Sequence, residues 1–394
     1  MPRFLPLRAS VEWLKKTAKD QLDVIRHSTP EAKLHDAQLK LAREYGFPNW
    51  RAMIEHVETV REQLRKVFPV LATFPIAVEA VEPNDPQLLS LLEAVRAGDV
   101  GAVSKILAAR PALVNAYGPA GQTALHVAAQ FNDARLAIVL LAHDADPDMQ
   151  IRDSGHNALS WAATCHATDY ARTLVRLAVQ PDLYAAAGLG LLEQVQGSFA
   201  EDGTLLAGAS WTGSTRREAS GARLPCPPST AIDQISDALC HASRNGQTPV
   251  VQFLLDKPHD LAFRSFLGAT ALHWACFSGS EETISVLQSV GADLDAIDDC
   301  FGVTPEFFGI CAAASWGLLF KVEALVRRDA ALASCQGGPT TPLHEAAGAG
   351  HHDIVRFLLE NGADRTAIDA HNRTPLDRAM EHGHQSVIEI LSAE

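Results

Sequence analysis

The stretch TPLHEAAGAGHHDIVRFLLENGADRTAID, which spans residues 341–369, decides the fold. Thr341 can cap a helix through its hydroxyl group, and Pro342 fits the first helical turn because no amide donor is lost there. Gly350 can end this short helix in a left-handed conformation. A second helix is predicted by the apolar spacing of Ile354, Val355, Leu358 and Leu359. The stretch therefore predicts two short helices followed by a polar loop.

The same pattern recurs along most of the chain, and such recurrence is the signature of a repeat protein. Its opening motif matches TALHVAAQ (123–130), NALSWAAT (157–164), TALHWACF (270–277), TPLHEAAG (341–348) and TPLDRAME (374–381). Its closing loop matches GADLDAID (291–298) and GADRTAID (362–369). Weaker copies of the unit cover residues 91–107, 182–195 and 237–255.

These motifs resemble the ankyrin repeat, a unit of about 33 residues with a turn and two antiparallel helices. The resemblance covers roughly residues 88–394. It implies an all-α fold, an ankyrin-repeat α-solenoid of about 7–9 helix pairs in which each unit contacts only its neighbours.

Residues 1–66 predict a small module of three helices ahead of the array. The second helix lies in EAKLHDAQLKLAREYG with Gly46 as its C-cap, and Asn49 can cap the third. The segment DAQLKLAREYGFPNWRAMIEHV resembles a short helical module found ahead of bacterial ankyrin arrays. That resemblance implies a bacterial source. We expect the module either to cover the apolar end of the first repeat or to dock a partner. The proline-rich residues 67–87 are predicted to be a linker or an extended strap.

Two segments depart from the repeat pattern. Residues 198–235, rich in Gly, Ser, Thr and Pro, form a long insertion in which TLLAGASW predicts a short hairpin. A loop of this length is either an ordered flap over the binding face or a mobile surface loop. In the unit at 304–326, the distance from Thr304 to Gly317 predicts a first helix about one turn longer than its neighbours.

A large aromatic residue, Trp274, follows the TALH motif of residues 270–273. The resemblance implies that this position, and those three and four residues further on, face the concave side of the stack. The predicted binding groove, with Trp211 added from the insertion, consists of Trp161, Cys165, Trp211, His241, Arg244, Trp274, Phe277, Phe308 and Glu345. An aromatic concavity favours a ligand or a covering segment. Three alternatives remain, namely a groove for a protein or peptide, a pocket for a small molecule, and rings buried by their own flanking helices.

Catalysis is the weaker hypothesis for this groove. Asp237, His241 and Arg244 lie on one predicted helix, and a carboxylate four residues before an imidazole could orient it for acid–base chemistry. Asp237, however, occupies a position suited to capping that helix. Cys240 lies beside His241, but adjacent helical side chains point about 100° apart, which disfavours a nucleophilic pair. We assign no catalytic residue, and these three would act only if the chain is an enzyme.

The sixteen histidines do not predict a metal site. His126, His273 and His344 occupy the motif position where ankyrin histidines hydrogen-bond between adjacent turns, as the resemblance implies. Asp144 begins a loop similar to a calcium loop, but its sixth position is Met149 instead of Gly, so the pattern fails. No metal and no cofactor are expected.

Composition limits the classes of partner. The formal net charge of −14 disfavours nucleic acid and favours a basic partner. No apolar run reaches the roughly 18 residues needed to span a membrane. The seven cysteines contain no CxxC pair, so reduced thiols in the cytoplasm are expected.

The sequence predicts non-catalytic recognition of a protein or peptide through the groove and the insertion. The alternative is a small-molecule binder or acid–base enzyme closed by the insertion, and the oligomeric state is not indicated.

Overall fold

The computed structural model describes residues 14–15, 18–19, 22, 25–26, 29–44, 47–55, 58, 81–177, 179–218, 220–334 and 338–393. Most of the first predicted helix, the predicted C-cap Gly46 and residues 67–80 of the predicted linker lie outside these ranges. Where the chain is described it is helical, and its β pairing consists of two isolated bridges, Phe199–Leu205 and Arg217–Arg223.

The helices follow the predicted order. Ahead of the array lies α1 (Leu34–Glu44). The array begins with α2 (Pro86–Arg96), α3 (Val100–Ala109), α4 (Ala124–Gln130), α5 (Ala134–Ala142), α6 (Ala158–Thr164), α7 (Thr168–Arg176), α8 (Leu183–Leu189) and α9 (Leu192–Gly197). It continues with α10 (Ala231–Arg244), α11 (Thr248–Leu255), α12 (Ala271–Ser278), α13 (Glu281–Ser289), α14 (Pro305–Ser315), α15 (Leu319–Arg328), α16 (Pro342–Ala349), α17 (His352–Glu360), α18 (Pro375–Glu381) and α19 (Gln385–Ser392).

From α2 onward these helices alternate as nine consecutive pairs in the described part of the array. The prediction of an all-α solenoid is therefore confirmed. The first pair begins at Pro86, whose helix is capped by the Asp85 carboxylate, so the array starts two residues inside the predicted linker. None of the described helices has both the length and the apolar character that crossing a bilayer requires.

The ends of the helices form for the local reasons that the sequence indicates. The Thr341 hydroxyl accepts a hydrogen bond from the His344 amide, and Pro342 occupies the first turn of α16. Gly350 ends that helix with φ at 80°, in the left-handed region that an L side chain disfavours. These caps satisfy amide and carbonyl groups that a helix of eight residues would otherwise leave without partners.

The motif histidines connect consecutive repeats, as expected. Nδ1 of His126, His273 and His344 lies 2.8 Å from the hydroxyl oxygen of the threonine three residues earlier. Nε2 of the same rings lies 2.9–3.4 Å from a backbone carbonyl oxygen of the next repeat. Burial lowers the pKa of His126 and of His273 to about 4, so both rings are neutral near pH 7.

Contacts divide the chain into two units. The first comprises the residues up to Ala185 together with Gln196–Thr212. Before the array, this unit has a small core of its own, formed by Leu14, Ala18, Leu41, Ala42 and Met53 with Phe47, Trp50 and Ile54 packed against them. The Asn49 side chain accepts from the Ala52 amide at 2.9 Å, which confirms the predicted third cap.

The second unit comprises Ala186–Val195 and the residues from Gly213 onward. Within it, the first helix of each pair packs against the first helix of the next, from α10 through α12, α14 and α16 to α18. Helix α14 has 11 residues, whereas α12 and α16 have 8 each. The predicted additional turn is therefore present.

The insertion ends earlier than predicted. Helix α10 begins at Ala231 and is capped by the Thr230 hydroxyl, so it includes the last residues of the predicted 198–235 segment. Asp237 is consequently not a helix cap but lies in the middle of α10. Two short turns closed by single bridges replace the predicted hairpin.

Candidate functional site

Four aromatic side chains of the second unit pack into one group, called here the aromatic cluster: Trp274, Phe277, Phe308 and Trp316. Trp274 and Phe277 belong to α12, Phe308 belongs to α14, and Trp316 follows the last residue of α14. The Trp274 ring meets Phe308 edge to face, with centroids 5.1 Å apart, and stacks on Trp316 at 6.2 Å and 22°. Such offset and edge-to-face arrangements are favourable for aromatic pairs.

A glycine permits this close packing of α12 against α14. A Cβ atom at Gly309 would lie 2.7 Å from the Cys276 carbonyl oxygen and 2.9 Å from the Phe277 Cα. Because no side chain separates the two backbones there, Phe308 can reach the Trp274 ring. The cluster therefore depends on one small residue in the lengthened helix.

The predicted exposure of the groove rings needs correction. Trp274 is 2% exposed, and Phe277 and Phe308 are fully buried. The Trp274 indole N–H donates to the Ser265 hydroxyl at 2.7 Å, so its polar atom is also satisfied inside the protein. These three rings are covered by their own neighbours, which is the self-packing alternative.

The partly exposed side of the cluster is formed by residues that the groove prediction did not include. Trp316 is half-buried, and Phe266, which is 40% exposed, stacks on it at 6.5 Å and 22°. Phe266, Trp316 and Trp274 therefore form a stacked aromatic column that runs from the surface into the core. The sequence contained one signal that could have identified Trp316. This residue comes directly before Gly317, which ends the lengthened helix.

Two cations lie against this cluster. The Arg244 guanidinium, at the end of α10, lies 5.1 Å from the Trp274 centroid and 5.5 Å from those of Phe277 and Trp316. The Lys321 ammonium, in the first turn of α15, lies 4.1 Å from the Phe277 centroid. All four distances are typical of cation–π contacts. Burial, and then the positive charge of Arg244, lower the pKa of Lys321 to about 8.

His241 and Asp237 have contacts that connect α10 to other segments of the second unit. Asp237 accepts from the Ser214 amide at 2.8 Å and from the Ser214 hydroxyl at 2.5 Å, and this carboxylate is buried. The His241 ring occupies the space beside Gly188, where an added Cβ would lie 2.5 Å from it. Burial and the Asp237 charge raise the pKa of the Cys240 thiol above its ordinary value, which disfavours a thiolate nucleophile.

Glu345 forms a structural ion pair. Its Oε1 atom accepts from Arg378 at 2.6 Å and from the Thr340 hydroxyl at 2.7 Å. The pair joins α16 to α18, and both side chains are largely buried. The hydrogen bonds of Glu345 therefore involve no residue of the aromatic cluster. They contribute instead to the stacking of one repeat on the next.

The remaining predicted groove residues belong to the first unit. Trp161 is partly exposed and lies 5.6 Å from the His156 ring, and Cys165 follows the last residue of α6. The Trp211 amide donates to Asp182 at 2.9 Å. The buried Asp182 carboxylate also accepts from the Thr212 amide and hydroxyl at 2.6 and 2.7 Å, so it fixes the insertion at this point.

The described residues contain no group of three or more histidine, cysteine or acidic side chains that is arranged to bind a metal ion. The cysteines in these ranges are not joined in disulfide bonds, and Cys240, Cys276 and Cys311 are buried.

Comparison with family models gives matches to "Ankyrin repeats (3 copies)" over residues 91–185, 227–298 and 310–394. The B-cell lymphoma 3 protein homolog of Mus musculus is 32% identical over 166 residues, which are 41% of this chain and 36% of the mouse protein. The probable 26S proteasome regulatory subunit p28 of Saccharomyces cerevisiae is 35% identical over 148 residues, which are 36% of this chain and 62% of the yeast protein.

The transient receptor potential channel homolog of Caenorhabditis elegans is 33% identical over 162 residues, which are 40% of this chain but 13% of the channel. The chain thus spans less than two thirds of the length of each of these relatives. Their names describe very different proteins, so the similarity concerns the repeats. Ankyrin repeats generally mediate protein–protein interaction. The family matches cover more than half of the chain and coincide with the capped helix pairs and bridging histidines, so the chain belongs to the ankyrin-repeat family.

Proposed function

We propose that the chain recognises a protein or peptide partner without catalysis, through the partly exposed side of the aromatic cluster. The aromatic column carries this proposal, because Phe266 and Trp316 offer ring surface to a partner while Trp274 holds them from below. Partly exposed aromatic side chains on a rigid base are typical anchors of protein interfaces. The buried rings of the predicted groove act as this base and do not themselves contact the partner.

The insertion supports the same function. Ser214 is held by Asp237 in the second unit, so the residues that follow leave from a fixed point. Arg216 lies 5.2 Å from the Phe263 centroid and donates to the Pro225 carbonyl at 3.0 Å. These contacts favour the ordered alternative for the insertion, and we propose that it adds contact surface for the partner.

The net negative charge of the chain favours one class of partner. With a formal charge of −14, the chain attracts partners that carry a basic surface, and this attraction raises the association rate at low salt.

We further propose that residues 1–66 cover the apolar end of the first repeat, which their separate small core would allow. The bacterial source and the cytoplasmic location stay predictions, and the relatives named above come from eukaryotes.

Peptide selection against the full chain tests the proposal. Peptides that survive selection from a random library should bind the wild-type chain and lose at least tenfold in affinity with Trp316→Ala or Phe266→Ala, measured by calorimetry. Ile368→Ala is the matched control, because Ile368 is also an exposed apolar residue of the second unit. Peptides that bind all four chains equally would contradict the proposal. Stabilisation by a small molecule without peptide binding would replace it by the small-molecule alternative.

A further inference from the structure

A loop between α13 and α14 in the second unit combines exposed apolar side chains with negative charge. It comprises residues 291–299 and is called here the acidic loop. Its sequence, GADLDAIDD, contains four aspartates and no basic residue. Two of its apolar side chains lie at the surface, since Leu294 is 55% exposed and Ile297 is 47% exposed. The loop therefore offers apolar surface and carboxylates at the same place.

The acidic loop is joined to the loop that carries Phe266 of the aromatic column. The Asp299 amide donates to the Leu267 carbonyl at 2.9 Å. The Asp299 carboxylate lies against Gly268, where an added Cβ atom would collide with it. Because Phe266 is 40% exposed, its ring and the apolar side chains of the acidic loop lie on adjacent, connected loops. Exposed apolar side chains grouped in this way are typical of an interaction surface.

The negative charge of the acidic loop is not neutralised by a basic side chain. In the part of the chain that the structure describes, Asp295 and Asp299 form no ion pair. Arg264 contacts the loop, but its Nη1 atom donates to the carbonyl oxygens of Ile297 and Gly268, at 2.5 and 2.8 Å. A cation from another molecule would therefore supply the opposite charge that the loop lacks.

A second closing loop of the array shows that Asp295 is not the residue that local structure favours. The corresponding residue there is Thr366, whose hydroxyl donates to Asp364 at 2.7 Å. The backbone bond is the same in both loops, since the Asp295 amide donates to Asp293 as the Thr366 amide donates to Asp364. An ionised Asp295 cannot donate a second bond and instead places a like charge near Asp293. A residue that breaks a local rule in this way is typical of a functional position.

We propose that the acidic loop binds a lysine or arginine side chain of the protein partner through Asp295 and Asp299, while an apolar neighbour of that residue contacts Leu294 and Ile297. Lysine suits such a place, because its ammonium group ends an apolar stem that can lie along the exposed apolar side chains. This inference rests on the proposed function and names the chemistry of the partner segment, which would continue from the acidic loop to Phe266.

A peptide array tests the charge of the recognised residue. The probes are blocked hexapeptides with leucine at the third position, lysine, acetyl-lysine or glutamate at the fourth, and random residues elsewhere. They are applied to the labelled full chain in about 0.15 M salt, which screens distant charges. We expect the lysine set to bind about tenfold or more strongly than the other two sets. A lysine set with serine in place of leucine should bind about fivefold or more weakly.

Variants at two equivalent positions separate binding from stability. Asp295→Thr introduces the residue found at position 366, so it should raise the urea midpoint of unfolding and yet reduce the preference for lysine over acetyl-lysine by about threefold or more. Adding Asp299→Asn should bring that preference below about twofold. Asp148→Thr is the matched control, because the Asp148 amide donates to Asp146 at 3.0 Å in a loop of the first unit. It should raise the urea midpoint as well, but leave the lysine preference unchanged.

Three results would each overturn the inference: equal binding of the lysine and acetyl-lysine sets, equal binding of the leucine and serine sets, or a lysine preference that survives the double variant. An equal loss of the preference in Asp148→Thr would also overturn it, because the preference would then reflect the net charge of the chain. Circular dichroism of each variant confirms that it is folded.

The proposed function fails in a different way. If Trp316→Ala leaves lysine-dependent binding intact, the acidic loop stands as a binding site and aromatic recognition falls. If Trp316→Ala abolishes peptide binding while the lysine and acetyl-lysine sets bind the wild-type chain equally, aromatic recognition stands and the role of the acidic loop falls.

Discussion

Asp237 and Ser214 are joined by two hydrogen bonds, from the Ser214 amide at 2.8 Å and from its hydroxyl at 2.5 Å. Asp237 is 1% exposed, so bulk water does not solvate this carboxylate in the folded protein. Ser214→Ala would leave a buried carboxylate oxygen without this donor and should destabilise the protein by about 1–3 kcal/mol. Urea unfolding measures the loss. Ser220→Ala, at an exposed position of the same insertion, should change stability by less than about 0.5 kcal/mol, and equal effects of the two variants would contradict this account.

Gly309→Ala tests the close approach of α12 and α14. The added methyl group would meet the Cys276 carbonyl at 2.7 Å, and the backbone there has no space to move without separating the helices. We expect a loss of about 1–3 kcal/mol in the free energy of unfolding. Gly197→Ala is the matched control, because a Cβ there meets nothing within 4 Å. A stability of Gly309→Ala equal to that of Gly197→Ala would show that the two helices do not pack as described.

Stability should fall in mild acid because of the motif histidines. The folded pKa of His126 and of His273 is about 4, below the ordinary value of 6.5, so the unfolded chain binds more protons between these values. Their contribution is fully present above pH 6.5 and is lost as the pH falls towards 4, by at most about 3 kcal/mol for each ring. Urea unfolding at a series of pH values measures this slope.

Variants identify the groups that cause the slope. His273→Gln should lower stability at pH 7 and make the pH dependence shallower, since glutamine does not titrate. His352→Gln changes an exposed histidine of the second unit and should leave the slope as it is. An identical slope in His273→Gln and the wild type would mean that the buried ring is not the titrating group.

The ion pair between Glu345 and Arg378 should be strongly coupled. Their side chains are 11% and 19% exposed, so removing one partner leaves a poorly solvated charge. A double-mutant cycle with Glu345→Gln and Arg378→Met should give a coupling energy of about 1–3 kcal/mol. The same cycle for the exposed pair Arg51 and Glu55 should give about 0.5 kcal/mol or less. Coupling at Glu345 no larger than at Glu55 would argue against a structural role for the buried pair.

Features decided by local chemistry could be predicted from the sequence. The caps at Thr341 and Gly350 depend on residues within one or two turns, and the longer α14 follows from counting residues between Thr304 and Gly317. The histidine bridges were also predictable, because the motif places His344 one turn after its threonine.

Features decided by distant contacts could not be predicted. By residue type, Thr230 and Asp237 could each cap the helix. In the structure Thr230 caps α10, whereas the Asp237 carboxylate is bonded to Ser214. Trp274 occupies a position of the predicted concave row, but Trp316 from the next repeat covers it. Lys321 lies on a second helix, where solvent exposure is the usual expectation, and its contact with Phe277 depends on the path of a different repeat.

The buried carboxylate of Asp237 has a consequence for protein engineering. Ser214 is fixed by that carboxylate, and Thr230 is fixed by its role as the cap of α10, so the intervening segment begins and ends at defined points within one unit. Its outer turn, closed by the Arg217–Arg223 bridge, is exposed. A foreign sequence inserted at this turn would be presented from a segment that is anchored at both ends, much as an antibody scaffold presents its hypervariable loops.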